Sequence, residues 1–425
     1  MSYFLQTLYG MADLFITGQF YGVDTITAVS NDSQIMHMMT VIIVGLAMGT
    51  TVTIGHSVGA KCMEQAEKII GNTITLFMGI AVAFTVILVA LVKPIVVLIA
   101  TPQEAVAGTS IYLLICFIGI PFITAYNIIS SIFRGLGDSK SPMYFIGIAC
   151  VMNIALDYLF MGAFHMGAAG AALGTVCAQT FSVLVALWVI RRRKTGISLK
   201  KSDFKIERAV IGQVLKIGIP VALQDGFIQV AFMIITVIAN SRGVSDAAAV
   251  GIVEKVISAL FIVPSSMLAT VSALSAQNFG AGKEKRATDT LRYATVITTI
   301  YGVIVAVLIQ FIAENVVGIF TSDTTVVTMG SAYIRSYIWD CIFAGIHFSF
   351  SGYFAACGKS YIGFLHNIIS ITFVRVPGSY LASKYFTDTL YPMGLAAPAG
   401  SLVSVAICVT AFILLKRKSR VAQTA

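Results

Sequence analysis

The stretch MGAAGAALGTVCAQTFSVLVALWVIRRRK, residues 166–194, carries the reading of the whole chain. From Gly167 to Ile190 it holds no charged residue, and a helix needs about 20 apolar residues to cross a bilayer. It stops on Arg191, Arg192, Arg193 and Lys194, as a span does at a cytoplasmic surface. Its small residues Gly167–Ala172 suit close helix packing rather than phosphate binding. Its opening, MGAAGAAL, resembles MGLAAPAG at 393–400, near the other end of the chain.

The same pattern recurs along all 425 residues, which are 57% hydrophobic and only 11% charged. A soluble domain carries about 25% charged residues, so these charges are too few to cover a soluble protein of this size. Apolar runs at 3–22, 28–58, 72–100, 106–130, 141–163, 167–190, 210–240, 246–275, 290–320, 326–353, 361–386 and 393–415 predict an all-α integral membrane protein of about twelve spans. The first run begins almost at Met1, so no separate signal peptide is expected, and the first helix is expected to be short or truncated.

Lysines and arginines fall on one side. Lys61, Lys68, Arg134, Lys140, the cluster from Arg191 to Arg208, Lys283, Lys285, Arg286, Arg292, Lys359 and the tail from Lys416 to Arg420 alternate with loops holding little beyond Arg242 and Lys384. The positive-inside rule then places both termini and the 191–209 loop in the cytoplasm. The net charge of +9 is therefore a matter of topology, and no nucleic-acid partner is expected.

The two halves also match. Ala28-Val29 pairs with Ala249-Val250, Gly59-Ala60 with Gly280-Ala281, Tyr112 with Tyr333 and Gly137 with Gly358, all at an offset of 221. A shared offset over so long a stretch marks an internal repeat. Six spans per half give both halves the same orientation, which predicts two six-helix lobes with pseudo-two-fold symmetry along the membrane normal. The expected division is an N-terminal lobe at 1–195, a cytoplasmic linker at 196–209 and a C-terminal lobe at 210–425.

The chain contains no Walker A loop, HExxH or GxSxG motif, so neither an ATP-driven pump nor a hydrolase is expected, and no cofactor. The seven cysteines read as apolar fillers, and the five histidines form no ligand-spaced cluster. The acids inside the apolar runs are more informative, because burying charge in hydrocarbon is expensive. They are Asp13, Asp157, Asp225, Glu254 and Asp340. Asn153 and Asp157, four apart in VMNIALDYLF, project from one helix face. With Asp13 in the first run and Thr175 in the sixth, they supply hard oxygens suited to a small cation or an exchangeable proton. Asp225, Glu254 and Asp340 are candidates for a secondary role. At offset 221, Asp13 faces Ile234 and Asn153 faces Val374, so the acid cluster belongs to the first half alone.

These residues lie in motifs that resemble the multidrug and toxic compound extrusion family. Its carriers are Asp13-x-x-x-x-Gly18, the VGA and basic loop at 58–61, RGLGDSKSPM at 134–143, the Asn153-x-x-x-Asp157 element and AQNFGAGKEKRA at 276–287. The resemblance implies a V of two six-helix lobes that exports amphipathic, mostly organic-cation drugs by alternating access. The driving sodium ion or proton would bind at Asp13, Asn153, Asp157 and Thr175. Some sodium-coupled members carry a second acid site in the C-terminal lobe; near its first position this chain reads Ile228-Gln229, and Asp340 lies about one turn from the other. The expected setting is a monomer in the plasma membrane with small-molecule substrates. The alternative is a lipid-linked oligosaccharide flippase of the related superfamily, whose cleft would need several cations to meet a pyrophosphate.

Overall fold

The turns repeat as the sequence does. In a computed structural model of the chain, Lys61 and Gly282, which are 221 apart, both take left-handed backbone, with φ of 59° and 70°. Gly137 and Gly358, also 221 apart, do the same at 93° and 70°. Left-handed backbone costs a residue with a Cβ about 1–2 kcal/mol, so the glycine matches have a conformational cause.

The structure describes residues 5, 12–13, 15–98, 103, 105–192 and 197–424. Helix α1 is seen at 12–13 and 15–20; the rest of the run expected at 3–22 lies mostly outside the described residues. There follow α2 (Val23–Gly59), α3 (Met63–Leu98), α4 (Val106–Gly135), α5 (Lys140–Asp157) and α6 (Gly167–Arg192). The second half runs through α7 (Arg208–Asn240), α8 (Val244–Leu260), α9 (Ile262–Gly280), α10 (Glu284–Gly318), α11 (Thr324–Tyr337), α12 (Asp340–Ala356), α13 (Ser360–Ser370), α14 (Val376–Tyr385) and α15 (Tyr391–Thr424). No strand occurs among the described residues.

Among the described residues, nine helices or continuous helix pairs are long and apolar enough to cross a bilayer. The runs expected at 326–353 and 361–386 are helical but interrupted: the first breaks between α11 and α12, and the second contains a π-helical turn at Ile371–Arg375. The run at 246–275 breaks at Phe261 between α8 and α9. Large apolar side chains such as Val86, Val151, Trp188, Phe311 and Phe373 are more than half exposed, a surface that suits lipid rather than water.

The chain divides into two units, Met1–Gly218 and Ile219–Ala425, so the boundary falls inside α7. The first unit packs Ile16, Tyr112, Phe117, Met161, Ala171 and Ala172 into one core. The second packs Val253, Ile257, Val305, Tyr333, Tyr337 and Cys341.

Two charged features anchor loops. The described part of the 191–209 loop is seated on α3. Asn72 Nδ2 donates to Asp203 O at 3.1 Å, Thr75 Oγ1 to Phe204 O at 2.9 Å, and Ser198 N to Glu67 Oε1 at 2.6 Å. Arg242, an exception to the charge bias, is an internal tie. It pairs with Asp246 at 2.6 Å and donates to the carbonyls of Ser383, Phe386 and Thr387 at 2.8–3.0 Å.

Four of the cysteines (Cys116, Cys150, Cys341 and Cys408) are buried fillers as expected, but Cys62 is exposed in the turn after α2 and Cys177 on α6. Turn geometry, not hydrophobicity, decides the position of Cys62: it follows the left-handed Lys61 and its N–H caps Ser57 O at 2.9 Å.

Candidate functional site

Helix α5 alone brings two of the expected residues together. Asn153 and Asp157 lie one turn apart, and both are fully buried. A π-helical turn, Tyr158–Ala163, begins directly after Asp157. Such turns add a residue to the helix repeat and redirect the side chains beside them, and they recur at functional sites. Helix α6 adds Thr175, and α1 adds Asp13, which is 3% exposed.

The four converge in the first unit. Thr175 Oγ1 donates to Asp13 Oδ2 at 3.2 Å, and the side chains of Asp157 and Asn153 lie beside the Asp13 carboxyl. Asp13 Oδ1, both Asp157 carboxyl oxygens and both polar side-chain atoms of Asn153 are buried with no hydrogen-bond partner. Among the described residues, no lysine or arginine pairs with either acid. Leaving a buried polar atom unmet costs about 1–3 kcal/mol, and more for a charge, so the four acceptor oxygens among these atoms favour uptake of positive charge. The oxygens of two carboxylates, an amide and a hydroxyl fit a small hard cation or a shared proton. The described residues contain no group of three or more His, Cys, Asp or Glu placed to hold a metal ion.

Residues outside the expected set shape this site. A Cβ on Gly174 would overlap Asp157 Oδ1, so the glycine lets the carboxyl lie against α6. Gly174→Ala is therefore expected to displace the Asp157 carboxyl and lower ion-coupled transport roughly fivefold or more, at normal yield of folded protein. Transport assays on the purified, reconstituted variant check this. The end of α1 is held at the π-helical turn: Tyr21 OH donates to Met161 O at 3.0 Å and accepts from Gly167 N at 2.8 Å.

Sequence reasoning also missed a sixth acid. Asp32 on α2 is fully buried, and neither carboxyl oxygen has a hydrogen-bond partner. The signal was there: Val29, Asp32 and Met36 follow the i, i+3, i+7 spacing of one helix face, and Val29 and Met36 are core residues. It lies near the start of its run, between the polar residues Asn31 and Ser33.

The candidates for a secondary role separate. Asp225 is half-buried on α7 and makes no hydrogen bond or ion pair among the described residues. Glu254 on α8 and Asp340 at the start of α12 instead come under the influence of one cation, the buried Arg375. Two of the five histidines also meet: the rings of His347 and His366 lie 5.4 Å apart in the second unit.

The MatE family model matches residues 1–159 and 220–381, most of both halves. A relative in Bacillus subtilis (strain 168), described as probable multidrug resistance protein YpnP, is 29% identical over 392 residues, covering 92% of this chain and 87% of its own. A crystal structure of MATE in complex with MaL6 superposes with a TM-score of 0.91 at 19% identity, covering 100% of this chain and 94% of its own. A MOP superfamily transporter from Pyrococcus furiosus superposes with a TM-score of 0.89 at 19% identity over 97% and 92%; its binding pocket is described as having reversed polarity, suggesting a different function.

Proposed function

The chain belongs to the MatE family, and from that premise we propose that it is a secondary antiporter exporting amphipathic, mostly cationic compounds in exchange for sodium ions or protons. The observation that carries the reading is the buried oxygen cluster of Asp13, Asn153, Asp157 and Thr175, which no lysine or arginine among the described residues neutralises. Binding one positive charge there relieves the repulsion of two carboxylates and changes how α1 packs against α5 and α6. Alternating access then converts an ion gradient into drug export. The relative's name points the same way, since YpnP is described as a probable multidrug resistance protein.

The Pyrococcus furiosus transporter is described as having a pocket of reverse polarity that suggests a different function, and a fold alone does not fix cargo. The balance of buried charge favours cations. Among the described residues of the apolar runs, Asp13, Asp32, Asp157 and Asp340 are buried acids, whereas Arg375 is the one buried arginine or lysine. A carrier of pyrophosphate-linked lipids calls for the reverse. Efflux of an ethidium-like dye from vesicles of stated orientation, driven separately by imposed sodium and proton gradients, tests the reading. Dye movement under at least one gradient is expected; complementation of a lipid flippase defect without dye efflux overturns it.

The protein acts as a monomer in the plasma membrane, with both termini cytoplasmic. Cys62 offers a native probe of this orientation, being exposed in a turn of the lysine- and arginine-rich set. In a Cys177→Ser background, a membrane-impermeant maleimide is expected to label Cys62 in inverted vesicles and not in right-side-out ones. Labelling from outside only reverses the topology.

A further inference from the structure

Arg375 is a buried guanidinium near one buried acid, Asp340, and one half-buried acid, Glu254, and yet it closes an ion pair with neither. It ends the π-helical turn Ile371–Arg375 between α13 and α14, and it is 9% exposed. Aromatic groups position it. Its Nη2 donates to Tyr337 OH, and its guanidinium carbon lies 4.9 Å from the ring centroid of Phe232 and 5.6 Å from that of Tyr337. The acids Glu254 and Asp340 are within electrostatic reach of it, as is the Tyr333 hydroxyl. Thr236 Oγ1 donates to Glu254 Oε2 at 3.3 Å, and Ser401 stands beside Asp340. Among the described residues neither acid makes a direct ion pair, and Glu254 Oε1, Asp340 Oδ1 and Arg375 Nε are buried without hydrogen-bond partners.

A structural Arg–carboxylate bridge is normally bidentate and satisfies its donors and acceptors together. Here the cation is held on aromatic faces while the acids keep their distance. The first unit supplies the comparison. There Asn153 and Asp157 sit on the helix that leads into a π-helical turn and meet Asp13 from α1 and Thr175 from α6, with no basic partner among the described residues. In the second unit the corresponding run also carries a π-helical turn, and a protein cation stands on it.

We propose that Arg375 is a tethered counter-ion for Glu254 and Asp340, which keeps the second unit from binding a mobile coupling cation and so confines coupling to the first. The confinement of coupling to the first unit rests on the proposed function; the counter-ion role of Arg375 stands whichever ion the first unit binds. Formal charges in the pocket are two acids against one guanidinium, so removing it deepens the deficit by a full charge. The vacated space is then lined by two carboxylates, the hydroxyls of Thr236, Tyr337 and Ser401, and an aromatic wall, a set of hard oxygens able to take a monovalent cation or a proton.

The test uses the full-length protein in detergent, with Asp157→Asn throughout to silence the first unit. Saturable retention of radioactive sodium and proton uptake in weak buffer are measured for Arg375, Arg375→Lys and Arg375→Met. Arg375→Met is expected to gain a stoichiometric equivalent of sodium or of protons, and the two readouts distinguish the ions. Arg375→Lys, which keeps the charge, is expected to gain neither. A folded Arg375→Met protein that gains neither ion overturns the proposal. Where Arg375→Met folds poorly, adding Glu254→Gln and Asp340→Asn is expected to restore yield and melting temperature, because the charge deficit is gone. A triple variant as unstable as Arg375→Met alone also overturns it, since the arginine would then act through packing.

Discussion

Asp157→Asn is expected to abolish gradient-driven efflux while leaving an inserted, folded protein. The substitution keeps the size of the side chain and removes its charge. A neutral amide is cheaper to bury than a carboxylate, so stability holds or rises. What disappears is the reason for the site to take up a cation. The remaining carboxyl of Asp13 keeps its hydrogen bond from Thr175, but the pair that concentrates negative charge no longer exists. Coupling between two ligands is commonly worth roughly 5–150-fold in affinity and is reciprocal, so drug and ion no longer weaken each other's binding. Dye efflux from reconstituted vesicles under one imposed gradient measures the loss, and circular dichroism with thermal melting confirms the fold. Asp225→Asn is the control, because Asp225 lies outside the cluster, and a smaller effect is expected. Wild-type efflux in both Asp157→Asn and Asp13→Asn would remove the coupling site from the first unit and direct attention to Asp32.

The second large effect is on stability. Within the first unit, α2 and the start of α7 meet backbone to backbone. A Cβ on Gly49 would overlap the carbonyl of Val214, and a Cβ on Gly218 would overlap the carbonyl of Leu46. The contacts are reciprocal, and the atoms that would have to move are main-chain atoms. No rotamer change can relieve such a clash, so the helices must separate and surrender the packing of Ile54, Ile128 and Val214 behind them. Gly218→Val is expected to cost at least the 1–3 kcal/mol or so typical of an overpacked core, seen as lost yield and a lower melting temperature. Gly212→Ala, on the same helix with open space around it, is expected to be neutral or to stabilise by up to about 1 kcal/mol. Equal melting temperatures for Gly218→Val and wild type would contradict this close approach.

The sequence by itself determined that the protein spans a membrane, where its helical runs lie and that it is built from two related halves. Those properties depend on local composition, on the length of apolar runs and on a constant offset, none of which needs a distant residue. The left-handed backbone at Lys61 and Gly282, and at Gly137 and Gly358, shows the repeat extending to backbone conformation. Chemistry was legible in part. Asn153 and Asp157 could be placed on one face because an α-helix sets their spacing, and Asp13 and Thr175 joined them through resemblance to a family. Only the tertiary structure decided which polar groups share a pocket. It put Gly174 against Asp157, turned Asp32 inward, and collected Glu254, Asp340 and Arg375, drawn from three separate helical runs, around Tyr337. The physical reason is that a buried charge is stabilised or penalised by whatever lies within a few ångströms of it. In a helical membrane protein those neighbours come from other helices, and one π-helical turn is enough to redirect a side chain from one neighbour to another.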